Sequence, residues 1–330
     1  MVSSVSTSLS LQRNTTIQVL RALAIIAVVM IHTTPSGYWQ VVCRPFLNFS
    51  VAMFLFLSGY LTKTDNQDWS AFYRKRIIRV LIPYVIWTVI YTLDSRRFDL
   101  FPLYLFAAKA QCTMYYIFVY IQFVLLTPLI GKLAVSRYKN LGWFVSPLSI
   151  IAFKYYWLFS GQEINVYLDI LWSDSCLGWF TFYYLGILLG NKIIEKNYSM
   201  RTLSILCACS IVLQMAETYL FLNLGDENCG SQLKLSSLLT SSLCLLIAYT
   251  ILKRKGSGLN NGFLVMIGDY SFGIYLCHML IKHALYYFVP FFRDIPFPVS
   301  SAIVVVLSFC FCYACDKMFG RTVIRWLGIR

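Results

Sequence analysis

The chain of 330 residues is 58% hydrophobic and only 13% charged, with a mean hydropathy of +0.66, whereas a soluble domain carries about 25% charged residues. That balance excludes a soluble globular protein and predicts an all-α polytopic membrane protein. The net charge of +14 fits membrane topology and anionic headgroups rather than nucleic acid, and the eleven cysteines lack the paired CxxC spacing of a structural zinc site.

Along the chain, Met1 to Thr16 is rich in Ser and Thr and reads as a flexible cytoplasmic tail, leaving 17–330 as a single integral-membrane domain. Apolar runs of bilayer-spanning length fall at 17–34, 46–62, 77–93, 114–131, 141–159, 177–193, 203–222, 235–252, 265–289 and 299–319, which predicts about ten transmembrane helices. The first run is followed by no small-residue cleavage site and almost at once by the next span, so it stays as helix one rather than leaving as a signal peptide. Phe98 to Ala108, which holds Asp99 and Pro102, is too short to cross and reads as an interfacial segment. With the N-terminus inside, eighteen Lys and Arg fall in cytoplasmic segments and six in outer loops, so the positive-inside bias places both termini in the cytoplasm. Most cysteines lie in the spans as small hydrophobes; Cys229, in an outer loop, could pair with Cys112 or Cys176, and sequence leaves that open.

Ionisable groups inside the spans carry the functional signal, because a charge at bilayer depth costs about 2.5 to 3.5 kcal/mol. Arg21 and His32 stand in one apolar run, Val19-Leu20-Arg21 through Met30-Ile31-His32, separated by about 16 Å along a helix axis. Arg76 and Arg79, three apart where helix three enters from the cytoplasm, share a face and suit bidentate phosphate recognition. Arg74, Lys75 and Arg76 equally suit topology anchoring. Histidine is the natural proton acceptor near neutral pH, and all three, His32, His278 and His283, sit at apolar depth. Glu217 and Asp316 are intramembrane acids that could pair with neighbouring cations. Trp172 and Trp179 flank an acidic outer stretch with Asp169 and Asp174, which suits either a sugar or an ordinary interfacial belt.

These residues resemble the acyltransferase-3 family of membrane O-acyltransferases. The resemblance rests on Arg21-x10-His32, on Ser50 through Leu61 with its Ser58-Gly59-Tyr60, on Arg76-x-x-Arg79 before Leu81-Ile82-Pro83-Tyr84, on Phe123 through Ile130, and on Ser271 through His278. It runs in order from about Ile17 to the last helix. Two positions depart from the family pattern: Gln18 stands where many members carry an acid, and Thr113-Met114-Tyr115 replaces His-Leu-Trp.

The resemblance implies transfer of an acyl group, usually acetyl from acetyl-CoA, to a hydroxyl of an extracytoplasmic glycan such as O-antigen or a lipid-linked precursor, in the bacterial inner membrane. By position it implies His32 as catalytic base, Arg21 as its motif partner, and Arg76 and Arg79 at the acyl donor. Ser58, Tyr60, Tyr275 and His278 are candidate substrate-binding residues. Partners would be acyl-CoA, a saccharide acceptor and membrane lipids, with no metal and no nucleic acid. In the expected mechanism His32 deprotonates a sugar hydroxyl that attacks the thioester, with Arg21 or a buried polar side chain holding the oxyanion; an acyl-histidine relay is the rival. A transporter or flippase of glycan or acyl groups is the alternative function, since intramembrane Arg and His also mark transport pathways. A third reading is a sensor that keeps the shape without the chemistry.

Overall fold

In the computed structural model of the chain the described residues are 14–65, 68–161, 168, 172, 174–256, 258–259 and 261–330. They are helical and contain no strand. The helices are α1 Thr15–Thr33, α2 Tyr38–Leu47, α3 Phe49–Tyr60, α4 Trp69–Ser95, α5 Phe101–Phe106, α6 Tyr115–Val135, α7 Val145–Ile150, α8 Tyr156–Ser160, α9 Phe180–Gly190, α10 Met200–Asn223, α11 Leu235–Lys255, α12 Gly262–Asp269, α13 Ser271–Phe288, α14 Val299–Met318 and α15 Arg321–Trp326. Side chains in the sequence start several of them: Asn14, Asp68, Ser199 and Asn261 each accept a hydrogen bond from a backbone N–H in the first turn, as N-caps do. Large apolar side chains such as Leu129, Leu148, Phe159 and Val212 face outward. That surface is unsuited to water and suited to lipid.

Seven helices are long and apolar enough to cross a membrane, and eight if the bent pair α12 and α13 is one span. Three of the apolar runs behind the expected count of about ten do not form single long helices. The run at 265–289 is bent by 74° between Asp269 and Ser271, where α12 lies so close to α1 that a Cβ on Gly268 would sit 2.0 Å from the Gln18 carbonyl oxygen. The run at 141–159 breaks into a 3-10 segment Lys139–Phe144, α7, a π-helical turn Ile151–Tyr155 and α8. The run at 177–193 gives a helical stretch Leu177–Gly190, about 21 Å long against a hydrocarbon core of about 30 Å. Its residues from Phe180 to Leu189 are all buried, so its apolarity serves protein packing rather than lipid.

Two boundaries also move. The first helix begins at Thr15 rather than 17, and the rest of the predicted tail, residues 1–13, lies outside the described residues. The second span begins at Tyr38, since α2 and α3 run on across Asn48, which keeps right-handed dihedrals. The Asn48 amide donates to the Gly230 and Ser231 carbonyls and to Ser237 Oγ. Phe98–Leu100 and α5 are short helical pieces with no buried residue and, as expected, too short to cross.

The most extensive helix contact is α3 on α9, and it needs glycine. A Cβ on Gly59, Gly186 or Gly190 would lie 2.3, 2.3 or 2.1 Å from the carbonyl oxygen of Tyr183, Phe56 or Tyr60. Small residues four apart let two backbones approach within a membrane. Tyr183 OH meets Thr127 Oγ1 at 2.9 Å, which ties α6 to the same pair. Tyr91 OH donates to the Leu276 carbonyl at 2.7 Å and Trp87 Nε1 to the Leu327 carbonyl at 3.0 Å, holding α4 against α13 and the C-terminal segment. These contacts enclose a space between α1, α3, α4, α6 and α13.

Candidate active site

Eleven residues take an α-helix round to within about 20° of a whole number of turns, so Arg21 and His32 project from one face of α1. Ile17, Arg21, Val28 and His32 line a cavity of about 630 Å³. Its wall continues through Ser58 on α3, through Phe72, Lys75, Arg76 and Arg79 on α4, and through Thr113, Tyr115 and Tyr116 at the start of α6. Ser271 and Tyr275 on α13 complete it. The predicted residues Arg21, His32, Ser58, Arg76, Arg79 and Tyr275 therefore share one cavity, although they come from four helices.

The cavity is polarised. At one end, Arg76 donates from Nη1 to Ser58 Oγ at 3.2 Å and its guanidinium lies over the Phe72 ring, 4.9 Å from the centroid. Among the described residues neither Arg76 nor Arg79 is paired with a carboxylate. Lys75, read equally as a topology anchor, also lines this end, whereas Arg74 is exposed and does not. At the other end stands His32. Arg21, three turns away along α1, is too distant to hold an oxyanion formed at His32, which corrects that part of the expected mechanism. It belongs with the cationic end.

His32 is the penultimate residue of α1, where the last carbonyls of a helix lack internal partners. Those of Met30, Ile31 and His32 find partners here. Thr33 Oγ1 donates to Val29 O at 2.9 Å and also meets Ser301 Oγ at 2.6 Å. Thr34 Oγ1 donates to Met30 O at 2.6 Å, Arg44 Nη1 to Ile31 O at 3.2 Å, and Lys282 Nζ to His32 O at 2.6 Å. Cations at a helix C-terminus also oppose its dipole. The backbone that carries His32 is thus held from α2, α13 and α14 at once.

The other candidates separate. Tyr275 OH donates to the Thr113 carbonyl at 2.5 Å, so its hydroxyl is spent on structure while its ring faces the cavity. His278 does not line the cavity, but its ring packs on that of His32, with centroids 5.5 Å apart. Tyr60, expected at the substrate, is outside the cavity and packs on Phe56 and Tyr249. His283 meets Asp94 at 2.9 Å. Glu217 accepts hydrogen bonds from Tyr155 and Ser236, and Asp316 pairs with Arg330 at 3.1 Å and accepts from Tyr270. Trp179 is buried and Trp172 stacks on Phe153; Asp174 pairs with Lys109 at 3.3 Å, and Asp169 lies outside the described residues. The cysteines are all free.

The sequence offers Cys112 only as a possible disulfide partner of Cys229 and does not place Arg44 or Lys282 at the site. Cys112 Sγ lies 3.9 Å from His32 Nδ1, next to Thr113-Met114-Tyr115, whose departure from the family pattern was the available signal. Arg44 and Lys282 were counted only as charges, and nothing local in the sequence ties them to the end of α1.

A cavity with a cationic end, an apolar middle of Val28, Val51, Phe54 and Val80, and a histidine at the far end can hold a long amphipathic ligand and move a proton at one point of it. The family model for the acyltransferase domain of the acyltransferase-3 family matches residues 14–317. The chain belongs to that family and is a multi-pass membrane acyltransferase. No curated protein and no solved structure matches it.

Proposed function

We propose that this protein is an O-acetyltransferase of the bacterial inner membrane, which moves an acetyl group from acetyl-CoA to a hydroxyl of a cell-surface polysaccharide or its lipid-linked precursor. The observation that carries this reading is the single cavity that joins Arg76 and Arg79 to His32. Phosphates of the donor would lie at the cytoplasmic end with Arg76, Arg79, Arg21 and Lys75, where charge-assisted hydrogen bonds to Arg are strong and directional. The pantetheine arm would follow the apolar wall for the about 16 Å between Arg21 and His32. Donor and acceptor would then meet at His32.

The topology that goes with this has ten passes and both termini in the cytoplasm, counting α12 with α13, the broken segment from Lys139 to Ser160, and Leu177–Gly190 as three of them. His32 accepts the proton of the attacking hydroxyl; the oxygen bonds to the thioester carbonyl, the carbon–sulfur bond breaks, and the CoA thiolate recovers the proton. Arg44 and Lys282, held at the end of α1, supply positive charge beside the developing oxyanion.

The test is the ester-acetyl content of surface polysaccharide, by NMR before and after mild base, in cells with the intact gene, a deletion, and His32→Ala. The reading expects a base-labile acetyl signal in the first and none in the others, with the variant inserted at normal levels. An identical glycan in all three would remove the polysaccharide acceptor. Movement of an unmodified glycan would favour the transporter.

A further inference from the structure

We propose that Cys112 is a covalent acyl carrier, taking the acyl group from the donor thioester and handing it to the acceptor, with His32 as the base for both halves. This rests on the acyltransferase reading above and changes its first step from direct transfer to a relay.

The first observation is what the His32 ring faces. A general base must lie within reach of the proton it removes, and His32 Nδ1 has Cys112 Sγ at 3.9 Å, within contact distance for sulfur. Cys112 is accessible, unlike Cys277 and Cys312, and forms no disulfide. Its position is fixed on both sides. Its own N–H donates to Gln111 Oε1 at 2.8 Å, and the next carbonyl, of Thr113, accepts from Tyr275 OH. Cys112 is not itself part of the cavity wall, but Thr113, Tyr115 and His32 are, so the thiol stands beside that wall in contact with His32.

The second observation is independent of the cysteine. His278 is 1% exposed, and its Nδ1 lies 3.0 Å from the Ile274 carbonyl and 2.8 Å from that of Tyr275. Carbonyls only accept, so Nδ1 carries the proton and Nε2 is a bare acceptor. That Nε2 is buried and has no hydrogen-bond partner, which is uncommon for a buried polar atom and asks for an explanation. If His32 accepts at Nδ1, its own proton sits on Nε2, and the ring packed against it offers a vacant acceptor. The two rings pack without a hydrogen bond between them, and a nucleophile within contact distance of a base is part of the signature of covalent acyl transfer.

Although the residue is accessible, desolvation by the surrounding bundle pushes the Cys112 thiol up from its ordinary value, and Lys282 and Arg44 pull it only partly back. At neutral pH it is a thiol, so it needs the base beside it. In the first half-reaction the Cys112 proton passes to His32 Nδ1, the new S–C bond forms at the donor carbonyl, the bond to CoA sulfur breaks, and the CoA thiolate takes the proton from His32. One thioester replaces another, with no oxidant or reductant. In the second, the acceptor hydroxyl gives its proton to His32, its oxygen attacks the acyl-Cys112 carbonyl, and the released thiolate recovers the proton.

The experiment uses the full chain purified in detergent and incubated with [1-14C]acetyl-CoA without acceptor. Wild type should hold one acetyl per chain, released by neutral hydroxylamine and mapped by mass spectrometry to Cys112. Cys112→Ala should hold none, and Cys310→Ala, which alters another exposed thiol, should label like wild type. Because Cys112→Ala could fold poorly, alkylation of Cys112 in wild type is followed as well; acetyl-CoA should protect it, and His32→Gln should slow it. Wild-type ester acetylation of surface glycan by cells carrying Cys112→Ala would overturn the relay and leave the enzyme reading intact. So would a wild type that transfers acetyl yet never holds label. A wild type that neither takes label nor releases CoA would overturn the donor assignment, and the relay with it.

Discussion

Lys154, Glu217, Asp226 and Lys234 form one charged cluster in the bundle, and Arg76 and Arg79 with Lys75 form another at the cationic end of the cavity. In the first, every charge has a partner within the chain. Lys154 Nζ meets Asp226 at 2.6 Å, Glu217 accepts from Tyr155 and Ser236, and the fully buried Lys234 donates to Thr218 Oγ1 at 2.5 Å and to the Cys229 carbonyl at 2.6 Å. In the second, Arg76 has a neutral serine and an aromatic ring, and neither arginine has a carboxylate among the described residues. Charge neutralised on the spot is built to hold helices together. Asp68 also lines that cavity, but it forms no ion pair with Arg76 or Arg79, and arginines in that state can receive an anion.

The comparison can be broken at either cluster. The largest effect is expected at the far end of the cavity, where His32→Ala should lower acyl transfer by about 10² to 10⁴, the range that general base catalysis supplies, with the same thermal midpoint in detergent as wild type. Next, Asp226→Ala should strand Lys154 and cost about 3 kcal/mol of stability, read as a lowered midpoint, while activity per folded molecule stays near wild type. If that variant instead loses donor binding, the first cluster is not merely structural. The smallest effect is a pH dependence. Burial pushes the Lys234 ammonium from 10.5 down to about 8, so between those values the unfolded chain binds more protons than the folded one. Stability should therefore rise with pH across that window, and Lys234→Met should flatten the rise; a fall with pH in wild type would contradict the burial.

Much of this was legible in residue order. Apolar runs mark the spans, and the x10 spacing from Arg21 to His32 already fixes a common helix face. Arg76-x-x-Arg79 marks the cationic end because three residues fall on one face. What residue order could not give is which residues distant in the chain meet. Cys112, Arg44 and Lys282 reach the end of α1 from three other segments, and no periodicity links them. Hydropathy also does not tell a helix buried on all sides from one facing lipid, and Leu177–Gly190 is apolar because protein surrounds it. The bend after Asp269 and the close approach of Gly268 to α1 are likewise visible only in the packed structure.

The most direct measurement is equilibrium binding of acetyl-CoA to the purified protein in detergent, comparing wild type, His32→Ala, Lys154→Gln and the double variant Arg76→Gln with Arg79→Gln. If the cationic end of the cavity holds the donor, the first three bind alike and the double variant binds at least about tenfold more weakly, as the loss of hydrogen bonds to charged groups implies. Equal binding by all four would contradict the donor site and the distinction between the two clusters.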